Sequence, residues 1–190
     1  MADRGTPRLA RALAGVRVLD LTRNLAGPFC PMLLADLGAD VIKVERPGVG
    51  DDTREWKPPA WNGRSATFLS ANRNKRGIAI DLDSADGQEL VRRMARGVDV
   101  VVESFRPGSL RARGLDAAAL RTASPQLVYC SSTAYGGRGP KSQLPGYDPV
   151  LQGPPPPELG LKQRNTELDY GTQRYRARGP LPVVAEVGAR

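Results

Sequence analysis

Between Val16 and Ser132, short runs of β-branched and aliphatic residues alternate with segments whose apolar positions recur at helical spacing. That alternation constrains the fold more than any other feature of the chain. Strands joined through helices lie parallel, and a parallel sheet hides both faces under those helices. Val16–Leu21 reads as the first strand, and Ala26-Gly27-Pro28 opens a helix, proline being tolerated in a first turn whose amides lack partners. Phe29, Met32, Leu33 and Leu37 keep the helical spacing until Gly38 ends it. Asp40–Glu45 reads as a second strand, stopped by Arg46-Pro47-Gly48. From Val49 to Arg76 no regular period is visible, so a long loop is expected there, carrying Trp56, Trp61 and Phe68. Gly77–Leu82 restores a strand. Ser84 caps a helix with Leu90, Val91 and Met94 inward and Arg92, Arg93 and Arg96 outward. Val98–Glu103 and Gln126–Ser131 are the last strands, separated by helical turns around Leu110 and Ala117–Leu120. The expected class is α/β, a mostly parallel sheet with helices on both faces.

Composition then narrows the chemistry. The 190 residues contain no histidine, which excludes Ser-His-Asp and Cys-His nucleophiles and any histidine-bearing metal site. Cys30 and Cys130 form no CxxC pair and read as reduced thiols, so no metal is expected. No apolar stretch is long enough to cross a membrane, and no apolar segment of a secretion signal follows the basic start. Arg4, Arg8, Arg11 and Arg17 near the start suit an organelle-targeting stretch, whereas Asp3 and the lack of serine there do not. The net charge is +8, and 23 of the 28 cations are arginine. They are scattered, and aromatic residues make up only 5%, which argues against a nucleic-acid surface.

Ligands of open parallel sheets sit beyond the carboxyl ends of the strands. The segments Arg23 to Gly27, Ser104 to Gly108, and Arg46 occupy such positions. Neither GxGxxG nor GxxxxGK[ST] occurs, so dinucleotide and Walker-type cradles are unsupported. Arg46, Arg54, Arg73, Lys75, Arg76 and Arg106 are instead the cations near strand ends. A guanidinium gives phosphate oxygens two parallel charged hydrogen bonds, and the helix opening at Ala26 adds amides and a positive dipole end. As a set these point to an anionic ligand, with nucleotides among the options. Taken singly, each arginine reads as an ion-paired or solvated side chain, and Asp20, Asp81 and Glu103 read as caps, turn formers or salt-bridge partners.

Six blocks in order carry a more specific signal. They are Leu13–Arg23 with Leu25–Pro28, Leu37–Gly48, Gly50–Arg54, Asn72–Arg76, Val102–Gly108 and Gly146-Tyr147-Asp148. Together they resemble class III CoA-transferases of the CaiB/BaiF type. Asp51-Asp52-Thr53-Arg54 with Trp56 and Pro58-Pro59 is most similar to the succinate–hydroxymethylglutarate (glutarate) branch. The resemblance implies a Rossmann-like large domain and interlocked ring-shaped homodimers. It implies coenzyme A as substrate without a metal, and acyl-CoA and small carboxylic acids as partners, with neither nucleic acid nor membrane among them. The branch implies a mitochondrial location, with the cytoplasm as the alternative. By position, the family's CoA contacts fall on Leu25 and Ala26 beside the pantetheine and on Arg46 near the phosphates. They continue on Ile80, Asp81, Leu82 and Asp83 along the adenosine, on Ser104, Phe105 and Arg106, and on Tyr147 and Asp148 near the thioester. A further family arginine falls on Ala112, with Arg111 and Arg113 flanking it as alternative donors.

The family's nucleophile is an aspartate roughly 30 residues beyond the Gly-Tyr-Asp block, which attacks the thioester and forms covalent intermediates. That neighbourhood here reads Arg176-Ala177-Arg178-Gly179-Pro180. Asp169 is the single aspartate after Asp148 and stands too early in other surroundings, so no catalytic residue is assigned. The resulting division is an N-terminal extension at 1–14, a partial CoA-transferase large domain at 15–152, and a divergent, irregular Pro/Gly-rich tail at 153–190. The expected activity is transfer of CoA between a dicarboxylic acyl-CoA of the succinyl type and a carboxylic acid. The alternatives are a truncated, catalytically incompetent CoA-binding fragment, for which interlocked dimers are not expected, and a basic polyanion-binding module.

Overall fold

The computed structural model describes residues 12–144 and the backbone of Val184–Val187. Five parallel strands form the body of one sheet. They are β1 (Arg17–Leu21), β2 (Asp40–Glu45), β5 (Arg76–Ala79), β6 (Val100–Glu103) and β7 (Val128–Thr133), in the spatial order β5-β2-β1-β6-β7. The class is α/β, as the alternating pattern requires. Val184–Val187 (β8) adds antiparallel to β7, with Val187 opposite Cys130. The rest of the expected irregular tail lies outside the described residues, as do Tyr147, Asp148 and Asp169.

Side-chain alternation along β1 assigns the two faces. Leu19 and Leu21 join Val44, Ile80, Val91, Val101, Leu115 and Leu127 in the larger core, on the side of α3 (Ala85–Ala95) and α4 (Ala117–Ala123). Val18 joins Ala35, Ala39, Val41 and Val102 on the side of α1 (Ala26–Asp36). The helix α3 follows its expected cap: Ser84 Oγ accepts from Gly87 N at 3.0 Å, and Gly97 follows its end. β2 has the expected limits, and those of the other parallel strands shift by one to three residues. The largest correction is that β5 stops at Ala79, because Ile80 N spends the last available bond on Glu45 O, where β2 ends. Asp81 to Asp83 therefore form a turn beyond the sheet, with Asp81 Oδ1 accepting from Asp83 N at 2.9 Å.

The expected loop from Val49 to Arg76 is in fact built. It holds a 3-10 turn at Asp52–Glu55, a hairpin of β3 (Ala60–Trp61) and β4 (Arg64–Ser65), and α2 (Ala66–Asn72). Each element is too short for a period to register. What holds them is polar: Asp51 caps the 3-10 turn through Thr53 N, Ser65 caps α2 through Phe68 N, and Arg54 lies over the Phe68 ring at 3.8 Å.

Candidate functional site

β1 lies between β2 and β6, so the chain leaves it first to one side of the sheet and later to the other. Such a switch point opens a crevice beyond the strand ends. Here it is a cavity of about 490 Å³. Arg46, Ile80, Asp81, Leu82, Asp83 and Phe105 line it, which unites three separate segments of the residues expected to contact CoA. Ser104 stands behind the wall, its Oγ accepting from Arg23 N at 2.9 Å. Leu25 and Ala26 are exposed at the start of α1, and Arg106 is exposed after β6; none of these three lines the cavity.

Arg23 and Arg113 also line the cavity, although neither stood among the assigned contacts. The signal for Arg23 was its place directly after β1, and for Arg113 its place beside Ala112. Arg113 Nε donates to Asp83 Oδ1 at 3.0 Å and Nη1 to Ser109 O at 2.8 Å, so of the two arginines flanking Ala112 it is the one at the cavity, whereas Arg111 points to Asp116 and is 80% exposed. Arg46 pairs with Asp52. Arg23 packs over the Phe105 ring at 5.1 Å, and burial together with the nearby Arg46 pushes its guanidinium below the usual value. The cavity thus holds three arginines, Arg23, Arg46 and Arg113, alongside the carboxylates of Glu45, Asp81 and Asp83.

The remaining cations serve the scaffold. Arg54 grips Glu45 in a two-pronged pair at 2.6 and 2.7 Å, which holds the Glu45 carboxyl below its ordinary range against the upward push of burial. Arg73 pairs with Asp36, and Arg76 with Asp40. Lys75 is buried: its Nζ donates to Asp20 Oδ2 and Pro28 O, both at 2.8 Å, and to Asn72 Oδ1 at 2.9 Å. A second buried pair joins Lys43 Nζ to Asp51 Oδ2 at 2.9 Å, with Lys43 also donating to Thr22 O. These two ammonium groups tie the start of α1, the end of β1 and the Asp51 turn into one polar block. Glycine is required at 27 for the same assembly, since a Cβ there would lie 2.8 Å from side-chain atoms of both Ser104 and Thr22.

Among the described carboxylates, Asp20 is committed to Lys75 and Thr22, and Glu103 accepts from Phe105 N at 2.7 Å and from the Ser131 hydroxyl. Burial raises the Glu103 carboxyl above its usual value. Neither faces the cavity as a free nucleophile. No group of histidine, cysteine and acidic side chains among the described residues could hold a metal.

Comparison with known proteins identifies the family. The family model described as CoA-transferase family III matches residues 13–155. The chain is 51% identical over 140 residues to human (Homo sapiens) succinyl-CoA:glutarate CoA-transferase, covering 74% of this chain and 32% of that protein. It is 47% identical over 153 residues to the succinate–glutarate CoA-transferase of Agrobacterium fabrum, covering 77% of this chain and 38% of that protein. The crystal structure of a CAIB/BAIF family protein from Brucella suis superimposes with a TM-score of 0.70 at 48% identity, covering 74% of this chain and 38% of that chain. The chain thus spans about a third of the length of the curated relatives it matches. On the family match and these identities, the chain belongs to CoA-transferase family III.

Proposed function

We propose that this chain supplies the CoA-binding large-domain portion of a class III CoA-transferase. In that reading it takes part in moving CoA between a succinyl-type dicarboxylic acyl-CoA and a carboxylic acid. The observation that carries the reading is the cavity at the switch point. It gathers Arg46, the Ile80–Asp83 turn and Phe105 in one space, lined by an aromatic ring, aliphatic side chains and three arginines. An adenine nucleotide asks for that combination of a flat apolar face and guanidinium donors. Arg113 stands in for the family arginine absent at Ala112.

Transfer itself needs a carboxylate nucleophile, and the buried acids Asp20 and Glu103 are both engaged by neighbours. In the family chemistry an aspartate attacks the thioester carbonyl and expels CoA as thiolate, leaving a mixed anhydride. The thiolate then attacks the aspartyl carbonyl of that anhydride, releasing the donor carboxylate and leaving an enzyme–CoA thioester. The acceptor carboxylate completes the exchange by the reverse sequence. Binding of CoA without transfer is the second reading, favoured by the sequence around residue 177, which carries no aspartate. We place the protein in the mitochondrion on its likeness to the succinate–glutarate branch, a placement that subcellular fractionation tests.

The experiment is titration calorimetry with CoA, followed by intact-mass analysis after incubation with succinyl-CoA and hydroxylamine or borohydride trapping. Binding with a trapped aspartyl adduct is the expected result for a transferase. Binding without an adduct supports the second reading. Absence of CoA binding by folded protein overturns both, and a steep salt dependence without preference for CoA marks a general polyanion binder.

A further inference from the structure

We infer that Arg23 is the open cation of the cavity and binds a phosphate group of the nucleotide, opposite Arg46. The inference rests on the CoA reading above and adds to it a ligand-binding residue. Four arginines stand at or beside the cavity, and three are already matched: Arg46 with Asp52, Arg113 with Asp83, and Arg54 with Glu45. Arg23 has no carboxylate within ion-pair distance among the described residues, although it lines the same space. It is held rather than loose. Its backbone amide is fixed by Ser104 Oγ, and its guanidinium lies over the Phe105 ring, which covers one face and leaves the edge donors directed elsewhere.

Two further features identify the class of ligand. Arg23 is only half-buried; burial first and Arg46 next disfavour its charge, while Asp52, Asp51 and Asp83 favour it without forming an ion pair with it. An anion between Arg23 and Arg46 offsets the effect of Arg46 and replaces the hydration that burial has removed. A phosphate fits because it offers several oxygens to both forks at once. In CoA the group can be the pyrophosphate or the ribose 3′-phosphate, which share this chemistry.

The test uses the full chain, its R23Q and R23K variants, and R93Q as a charge control on the exposed face of α3, with circular dichroism melts confirming that each is folded. Each protein is titrated with CoA, succinyl-CoA, dephospho-CoA and pantetheine. R23Q is expected to weaken CoA binding about 10- to 100-fold, the range of a charge-assisted bond to phosphate. Pantetheine binding and R93Q are expected to be unaffected, while R23K keeps the charge without the fork and falls between. Loss of the R23Q effect with dephospho-CoA assigns the 3′-phosphate, and persistence assigns the pyrophosphate. R23Q that binds CoA as the parent does overturns the inference while leaving the CoA reading intact. So does an effect confined to succinyl-CoA, which would assign Arg23 to the acyl carboxylate. If R23Q does not fold, R23K with unchanged CoA affinity and an unchanged salt slope overturns it equally. Failure of the parent chain to bind CoA removes the reading on which the inference rests, and the parent titration reports that separately.

Discussion

Replacing Lys43 with methionine leaves Asp51 buried without its countercharge. Lys43 and Asp51 side chains are 2% and 1% exposed, so solvent screening gives no reason to discount the pair. Methionine fills nearly the same volume, and the penalty therefore comes from the stranded carboxylate and the lost donor to Thr22 O. Removing one member of a buried pair costs about 3–5 kcal/mol, against a total domain stability of about 5–15 kcal/mol. With a urea slope of about 1–3 kcal/mol per molar, the midpoint should fall by about 2 M. Far-UV circular dichroism is the suitable probe, because Trp56 and Trp61 are 47% and 67% exposed and their fluorescence reports little burial. The pH dependence supplies the discriminating signature. In the parent, burial pushes the Asp51 carboxyl up but Lys43 and the Thr53 bonds pull it further down, to below its ordinary value of 3.8. The folded value is thus the lower one, and the stability this group contributes is present above the unfolded pKa and lost as pH falls through the folded one. In K43M the Lys43 attraction is gone, so the carboxyl rises and takes up a proton on mild acidification. The deficit of K43M should then shrink between about pH 7 and about pH 4, and D51N in the K43M background should recover part of it at neutral pH. An unchanged midpoint, or a deficit that stays constant over that range, would refute the assignment of this pair as a buried structural tie.

Three further outcomes follow from local geometry. A Cβ on Gly87 would lie 1.8 Å from Asp81 O, so G87A should lower stability by about 1–3 kcal/mol or more and displace the Asp81–Asp83 turn; an unaltered urea midpoint contradicts this. Burial holds the Glu103 carboxyl above its ordinary value, so the parent should lose stability relative to E103Q as pH rises through the folded pKa, above the reference value of 4.5, while the two converge below it. Melting curves of both proteins across that range check the sign. Leu25, Phe29 and Leu33 form a half-exposed stripe on α1, and β5 ends the sheet as an open edge, so the chain on its own should self-associate; a monomer by light scattering with one cooperative melt would contradict that.

The fold was legible because its strands are short apolar runs and its helices carry caps and stops at the right places. Ser84, Gly38 and Gly97 mark the helices α1 and α3 in sequence as they do in space. The region from Val49 to Arg76 was not legible, since its order comes from side chains reaching across the chain: Asp51 to Lys43, Arg54 to Glu45 and Phe68, Ser65 Oγ to Trp56 O. Such ties have no period. The site was half legible for a related reason. Positions beyond strand ends identify which residues can reach a ligand, but not which of them are already neutralised by neighbours distant in sequence.

That distinction changes what the conspicuous cations mean. Arg54, Arg73, Lys75 and Arg76 look like phosphate donors in sequence, yet each is paired with an acid at least nine positions away in the chain. Their work is to fix the ground on which the cavity stands. Lys75 joins Asp20 at the end of β1 to Pro28 at the start of α1, and Lys43 joins the end of β1 to the Asp51 turn. Those ties and the Arg46–Asp52 and Arg113–Asp83 pairs engage most of the nearby carboxylates, and Arg23 forms no ion pair among the described residues. Of the three arginines that line the cavity, Arg23 is the half-buried one outside any ion pair, and an arriving anion would give it the charged partner that Arg46 and Arg113 already have. The buried pairs that stabilise the fold therefore bear on the proposed site as well, because they leave Arg23 as the cavity arginine to which a ligand's charge is expected to bind.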